Sequence, residues 1–239
     1  MIKDVYLISP APSVSEAEAM RFYLRYHSRE VVRFVGPWLR RYENFRALNA
    51  PAEADCFNVS RGSLTELWYD SVEAWQEAAP QSRPYTAPEF GWEKVGFGAI
   101  VQVHARPTED FLGKEPTSEE RPIIRWVCAL KYPEGVSVEE GEKWYLDTHS
   151  QEVKQQPGLL RYVSHRATDN KLFAYPPWHR VSELWYENFD SWKADNIDSP
   201  PKYTAPPWGR KEPPFVDIAS TFVGYQPYVD FLRDHPIIP

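Results

Sequence analysis

The stretches "SLTELWYDSVEAW" (63–75) and "RVSELWYENFDSW" (180–192) spell the same tetrapeptide, ELWY, twice in one chain. Trp and Tyr are too uncommon for chance to be a good explanation. In each copy apolar and polar residues alternate with the period of a strand, and a short helix-forming run follows at once. Aligning the chain on these two copies brings further segments into register. "FYLRYHSREV" (22–31) meets "WYLDTHSQEV" (144–153), and "RRYENFRA" (40–47) meets "LRYVSHRA" (160–167). "RPYTAPEFGWE" (83–93) meets "PKYTAPPWGRK" (201–211), and "EDFL" (109–112) meets "VDFL" (229–232). The order is the same in both halves. The pattern reads as one unit of about 115 residues, duplicated and fused, and not as a solenoid of short repeats.

Each unit has the same expected element order. A short apolar strand opens it, "VYLIS" (5–9) or "IIRWVCALKY" (123–132). A helix follows over 15–33 or 137–154, Glu-rich at its start, with Ser15 or Ser137 as N-cap. A strand near 39–47 or 159–167 comes next, then the ELWY strand. A short helix, "SVEAWQEA" (71–78) or "NFDSWKAD" (188–195), and a last strand, "VGFGAIVQVHA" (95–105) or "VDIASTFVGY" (216–225), complete the unit. This is the β-α-β-β-α-β order of ferredoxin-like folds. Two helices on one face of a four-stranded sheet leave the other face bare, and a fused second copy can cover it. The expected fold is therefore α+β: two fused ferredoxin-like repeats, 1–115 and 121–239, joined by a polar linker at 113–122 ("GKEPTSEERP"). Their antiparallel sheets are expected to close into an intramolecular dimeric α+β barrel.

Composition narrows the function. The 239 residues carry a net charge of −7 and no basic stripe, so a nucleic-acid partner is not expected. No apolar run approaches a membrane span and no leader peptide is read at the N-terminus, so the expected location is the cytoplasm. Cys56 and Cys128 make neither a disulfide framework nor a metal spacing, and no zinc, nucleotide or Rossmann motif is present. No metal and no cofactor is expected. The 10 Trp and the 15% aromatic content either line an aromatic-binding pocket or simply fill the core.

With the "YxxxHS.EV" helix, the Pro/Gly turns "VGPWLRRY" and "QPGLLRY", and ELWY leading into "EAW" or "FDSW", the chain resembles the EthD-like family of the dimeric α+β barrel superfamily. The resemblance covers nearly all of both halves. It implies a pocket between sheet and helices, and it allows the fused unit to form a homodimer. The superfamily spans cofactor-free monooxygenases, dehydratases, cyclases, C–C-cleaving lyases and isomerases. The loops 48–62 and 168–180 depart from the plain family pattern, as does the length.

The candidate catalytic residues are His27 and His149, equivalent by the repeat. At helical spacing Tyr23, His27 and Glu30 share a face, and so do Tyr145, His149 and Glu152. A phenol, an imidazole and a carboxylate on one stripe make an acid/base set, and a helix C-terminus would favour the imidazolium. The competing reading is that each His caps its helix or bonds a loop carbonyl. Glu66 and Glu183 lie mid-strand beside Trp68 and Trp185. They are either substrate-facing carboxylates or partners of Arg41, Arg46, Arg161 or Arg166. His104 and His165 are not duplicated, and Arg161 shares a face with His165. These residues mark a specialised substrate-binding site or are satisfied structural side chains. The expected activity is a cofactor-independent enzyme on a small aromatic metabolite, a lyase in preference to an isomerase. The alternatives are a cofactor-free monooxygenase and a non-catalytic protein that binds an aromatic metabolite.

Overall fold

Two antiparallel sheets stack face to face, with the two ELWY strands near their centres. The computed structural model describes residues 1–82, 92–117, 122–169, 177–209 and 213–225. The first sheet has the order β2-β3-β1-β4, from β1 (Ile2–Pro10), β2 (Leu39–Arg46), β3 (Ser63–Tyr69) and β4 (Val95–His104). The second has the order β5-β7-β8-β6-β9, from β5 (Glu109–Leu112), β6 (Ile123–Lys131), β7 (Arg161–Arg166), β8 (Arg180–Tyr186) and β9 (Asp217–Tyr225). The repeated ELWY strands thus hold corresponding places, β3 beside β1 and β8 beside β6. The "EDFL" strand, β5, joins the second sheet by pairing Glu109–Leu112 with Ser164–Arg161 of β7. Its sequence counterpart at 229–232, and the segment 83–91, lie outside the described residues.

The helices cover the outer faces. In the first half α1 (Glu16–Phe22) passes through a π-helical turn (Tyr23–His27) into α2 (Ser28–Val35). In the second, α4 (Val138–Trp144) passes through the turn Tyr145–His149 into α5 (Ser150–Val153). The shorter helices α3 (Val72–Ala78) and α6 (Phe189–Lys193) follow the ELWY strands. The expected caps form. Ser15 Oγ accepts from the Glu18 amide at 3.2 Å and Ser137 Oγ from the Glu140 amide at 3.1 Å. Ser71 and Asn188 cap the two short helices in the same way. Each cap satisfies an amide that the first helical turn leaves without a partner.

Strand alternation decides what each face buries. Between the sheets, Val5, Leu7, Leu64, Val101 and Val103 pack against Val127, Ala129, Val181, Ala219 and Val223. At the other end of the same layer the alternation brings in charge. Lys3 Nζ donates to Glu66 Oε1 at 3.0 Å and to Glu183 Oε1 at 3.1 Å, and Arg125 Nη2 donates to Glu66 Oε1 at 3.0 Å. All four side chains are at most 6% exposed. The partners of Glu66 and Glu183 are thus Lys3 and Arg125 and not the arginines named from the sequence. Both carboxylates point into the layer between sheets, where Lys3 of β1 and Arg125 of β6 reach them. Among the described residues no helix is long and apolar enough to cross a membrane.

Candidate active site

The two π-helical turns set which side chains face the sheets. A π turn adds one residue to the helix and shifts everything after it by about a hundred degrees of helical rotation. The stripe that begins at Tyr145 therefore continues through His149 to Val153, eight residues on, and these three line one cavity. In the first half the stripe is Tyr23, His27 and Val31. Glu152 and Glu30, seven residues on, are turned away. Glu152 accepts from the Thr204 amide at 3.0 and 3.1 Å and from Thr204 Oγ1 at 2.5 Å, which ties down the loop after α6. Glu30 pairs with Arg33 at 3.8 Å. The expected Tyr–His–Glu stripe is corrected to Tyr–His–Val, because the extra residue was invisible to a regular 3.6-residue period.

Both cavities lie between the outer face of a sheet and its helices, and they differ in size. The first holds about 210 Å³, lined by Tyr6, Tyr23, His27, Thr65, Trp75 and Phe97 among others. The second holds about 360 Å³, about twice the ~150 Å³ that admits a benzene ring. Its walls are mainly apolar and aromatic: Trp126, Cys128 and Leu130 from β6, Leu184 from β8, Trp144 and Val153 from the helix, and Phe215 and Ile218 near β9. Cys56 and Phe57 complete it from the first half of the chain.

Two polar groupings interrupt this apolar wall. In the first, the Tyr145 hydroxyl lies 2.6 Å from both the Tyr162 hydroxyl and Ser182 Oγ, and Ser182 Oγ lies 2.8 Å from Ser164 Oγ. Arg180, fully buried, donates to Ser164 Oγ at 3.0 and 3.1 Å and to Glu142 at 2.6 Å. Its guanidinium carbon sits 4.7 Å from the centre of the Tyr145 ring. This chain of hydroxyls leads from a buried cation to the cavity wall. In the second grouping Gln156 donates to the Tyr203 hydroxyl at 2.9 Å and to Asn196 at 3.1 Å, and it accepts from Tyr186 at 2.5 Å. The first half is polar in a different way, with Thr65 Oγ1 accepting from Asn44 Nδ2 at 2.7 Å. Tyr23 meets Thr65 at 2.9 Å, and Ser63 occupies the strand position of Arg180.

His149 stands between Trp144, stacked at 5.1 Å, and Tyr203 at 5.2 Å, with Tyr145 at 5.4 Å. Burial lowers its pKa to about 4, so it is a neutral imidazole at pH 7. Burial does the same to His27. The imidazolium expected from a helix C-terminus is therefore corrected. Both rings sit at π turns inside the helix, and loss of water outweighs any dipole effect. Among the described residues His149 Nδ1 and the indole nitrogens of Trp126 and Trp144 are buried without a hydrogen-bond partner. Such groups in a cavity wall are available to a ligand.

The remaining candidates lie elsewhere. Glu66, Glu183, Trp185 and His165 face the layer between the sheets. His165 Nδ1 is 3.0 Å from the His104 carbonyl oxygen, its Nε2 is 3.9 Å from Glu183, and burial lowers its pKa to about 4. His104 itself is exposed at the end of β4. Trp68 and Trp185 carry cations on their rings, Lys3 and Arg41 on the first and Arg161 on the second. Arg161 is also held by Asp110 at 2.9 Å. None of these seven lines either helix-side cavity. Conversely, Arg180, Ser182, Tyr162, Gln156 and Asn196 were missed. The one signal was Arg180, a charged residue at the head of a strand whose first-half counterpart is Ser63. Among the described residues no group of three or more His, Cys, Asp or Glu side chains is placed to hold a metal ion.

No protein-family model matches the chain, and no curated protein matches it. Solved structures do. One is an anthrone oxidase-like protein, with TM-score 0.58 at 13% identity, covering 93% of this chain and 90% of that one. A chlorite dismutase variant from Candidatus Nitrospira defluvii matches with TM-score 0.47 at 8% identity over 92% and 90% of the two chains. A monooxygenase-like protein from Lactobacillus acidophilus NCFM matches with TM-score 0.39 at 11% identity over 93% and 91%. At such identity the likeness to the first is one of fold, an α+β architecture of two antiparallel sheets with helices outside.

Proposed function

We propose that the chain is a tandem EthD-like protein, with repeats at 1–115 and 121–239, and that its second half is a cofactor-independent enzyme acting on a small hydroxylated aromatic molecule. One observation carries the reading. His149, neutral at pH 7, faces the larger cavity beside a tyrosine hydroxyl wired to buried Arg180. The aromatic wall holds the ring system. The Tyr145 hydroxyl donates to the substrate oxygen, and Arg180 behind it favours negative charge there. His149 takes the proton from the substrate hydroxyl or from an acidic C–H. An oxyanion formed beside the new imidazolium raises its pKa, so a base that is weak in the empty cavity becomes adequate in the complex. The resulting anion expels hydroxide, which leaves as water with the proton from His149, or it breaks a C–C bond to release formaldehyde or carbon dioxide while the carbon left behind takes that proton; either makes a lyase. Return of the proton from His149 to a different carbon makes an isomerase.

A second reading is reaction of the same anion with dioxygen, as a cofactor-free monooxygenase. The mainly apolar lining favours it, since such a cavity admits oxygen beside an electron-rich ring, and the solved relative described above is an anthrone oxidase-like protein. The test is incubation of the wild-type protein, His149→Ala and His27→Ala with hydroxylated aromatics, followed by mass spectrometry. We expect loss of water, formaldehyde or carbon dioxide, or an isomer of equal mass. The rate should fall at least ~100-fold in His149→Ala and by no more than a few-fold in His27→Ala. Gain of oxygen selects the second reading. Tight binding without conversion overturns the enzyme and leaves a protein that sequesters an aromatic metabolite.

A further inference from the structure

We propose that Phe57, a residue of the first half, sets the length of the aromatic molecule that the second cavity accepts. The inference rests on the reading of that cavity as an aromatic-binding site. After β2 the chain does not return directly to β3. It crosses to the other sheet and runs along the free edge of β9. Leu48 N donates to the Phe222 carbonyl at 2.7 Å, Ser60 N to the Ser220 carbonyl at 2.7 Å, and Ser220 N to the Asn58 carbonyl at 3.0 Å. Between these anchors Pro51 leads into a 3-10 turn, Ala52–Phe57, that reaches over the cavity. Asn58 ends the turn at φ 49°, in the left-handed region that Asn tolerates better than most residues. Ser220 Oγ donates to the Phe57 carbonyl at 2.9 Å, and Glu53 pairs with Lys193 at 2.6 Å.

The backbone under Phe57 is thus fixed by the second sheet. Its ring packs edge-on against Trp126 at 4.8 Å and Trp192 at 6.1 Å, and it lines the cavity. His149 has a different set of ring neighbours: Trp144, Tyr145, Tyr203 and Phe215. A ring system with its oxygen at Tyr145 and His149 therefore extends toward Trp126 and stops at Phe57. Neighbouring Cys56 is exposed, so removing the ring opens the cavity toward solvent. The site also needs both halves, because the wall is supplied by the unit that does not hold the base.

The test measures binding independently of turnover. Dissociation constants for 2-naphthol, 2-hydroxyanthracene and 1-hydroxypyrene are read from quenching of tryptophan fluorescence, Trp126 and Trp144 being in the wall. Phe57→Ala should raise the preference for the four-ring probe over the two-ring probe by about tenfold or more, the scale of selectivity that a lost packing contact carries. Phe57→Trp, which keeps the packing and adds bulk, should move the preference the opposite way. An unchanged ranking in both variants, with turnover still lost in His149→Ala, overturns the role of Phe57 and leaves the catalytic reading standing. A shifted ranking with full turnover in His149→Ala does the reverse. Failure of the wild-type protein to bind any probe overturns both.

Discussion

His149 makes a sharp statement about pH. Its pKa of about 4 means that the base is already free of its proton in mildly acidic solution. The acid limb of kcat/KM for the free protein should therefore lie near pH 4 and not near 6.5, with a plateau through neutrality. A limb at pH 6 or above would show that the base is solvated or is another group. The same burial links histidine to stability. His27, His149 and His165 all have lowered pKa values in the folded chain, so the unfolded chain binds more protons between about pH 4 and 6.5. Their contribution is complete above 6.5 and is lost as pH falls toward 4. Asp4 opposes them. Burial raises it to about 7 although Trp75 and Gln102 donate to it at 2.8 Å, so its contribution is complete below about 4 and fades as pH rises toward 7. Asp4→Asn should steepen the gain in stability from pH 4.5 to 6.5, measured as urea midpoints at the two pH values, and an unchanged slope would count against the buried acid. At this scale the duplicated histidines were legible in the sequence because the repeat marked them. Arg180 was not, because the repeat puts Ser63 in its place and its meaning comes from Ser164, Glu142 and Tyr145, none of them near it in sequence.

The elements were legible where their periods are regular. Alternation placed the strands, and the Ser caps placed the helix starts. The helical period failed in the first helix of each half, where a π turn changes which residues share a face. A carboxylate was expected beside each histidine, and a valine is there instead. Deleting Thr148 would remove the extra residue and restore the plain α period, leaving Val153, then seven places after Tyr145, on the cavity face and Glu152 turned away from it. Thermal melting should change little, and quenching by 2-naphthol should persist. Loss of binding in a folded deletion variant would mean that the π turn itself, and not the face it presents, sets the site. The loop holding Phe57 shows the other limit of local reading. Residues 48–62 departed from the family pattern, yet nothing local says that they dock on the opposite sheet.

At the scale of the whole molecule, a buried quartet ties the two sheets together. Lys3 and Glu66 belong to the first sheet, Arg125 and Glu183 to the second, and Lys3 bridges 180 positions of sequence to reach Glu183. Desolvation of four charges offsets most of what their attraction gains, so such a cluster specifies one alignment more than it stabilises. Glu183→Gln or Lys3→Met should each cost about 3–5 kcal/mol, because each strands a buried charge. Joint replacement by Lys3→Met, Glu66→Leu, Arg125→Met and Glu183→Leu should cost less than either single change, measured by urea unfolding. Additive losses would refute the shared cluster. The sheet-on-sheet fold was legible from the repeat, since each half had a bare face to cover. The quartet was not, because strand alternation identifies a face but not what stands opposite it.

The central claim is that chemistry belongs to the second cavity, with His149 and Tyr145 meeting the substrate oxygen. The most direct measurement is a crystal structure of the chain with 2-hydroxyanthracene. The account predicts the rings between Trp126 and Trp144, ending at Phe57, with the hydroxyl about 3 Å from the Tyr145 oxygen or a His149 ring nitrogen. The molecule seated instead beside His27, or between the sheets near Glu66 and Glu183, would contradict it.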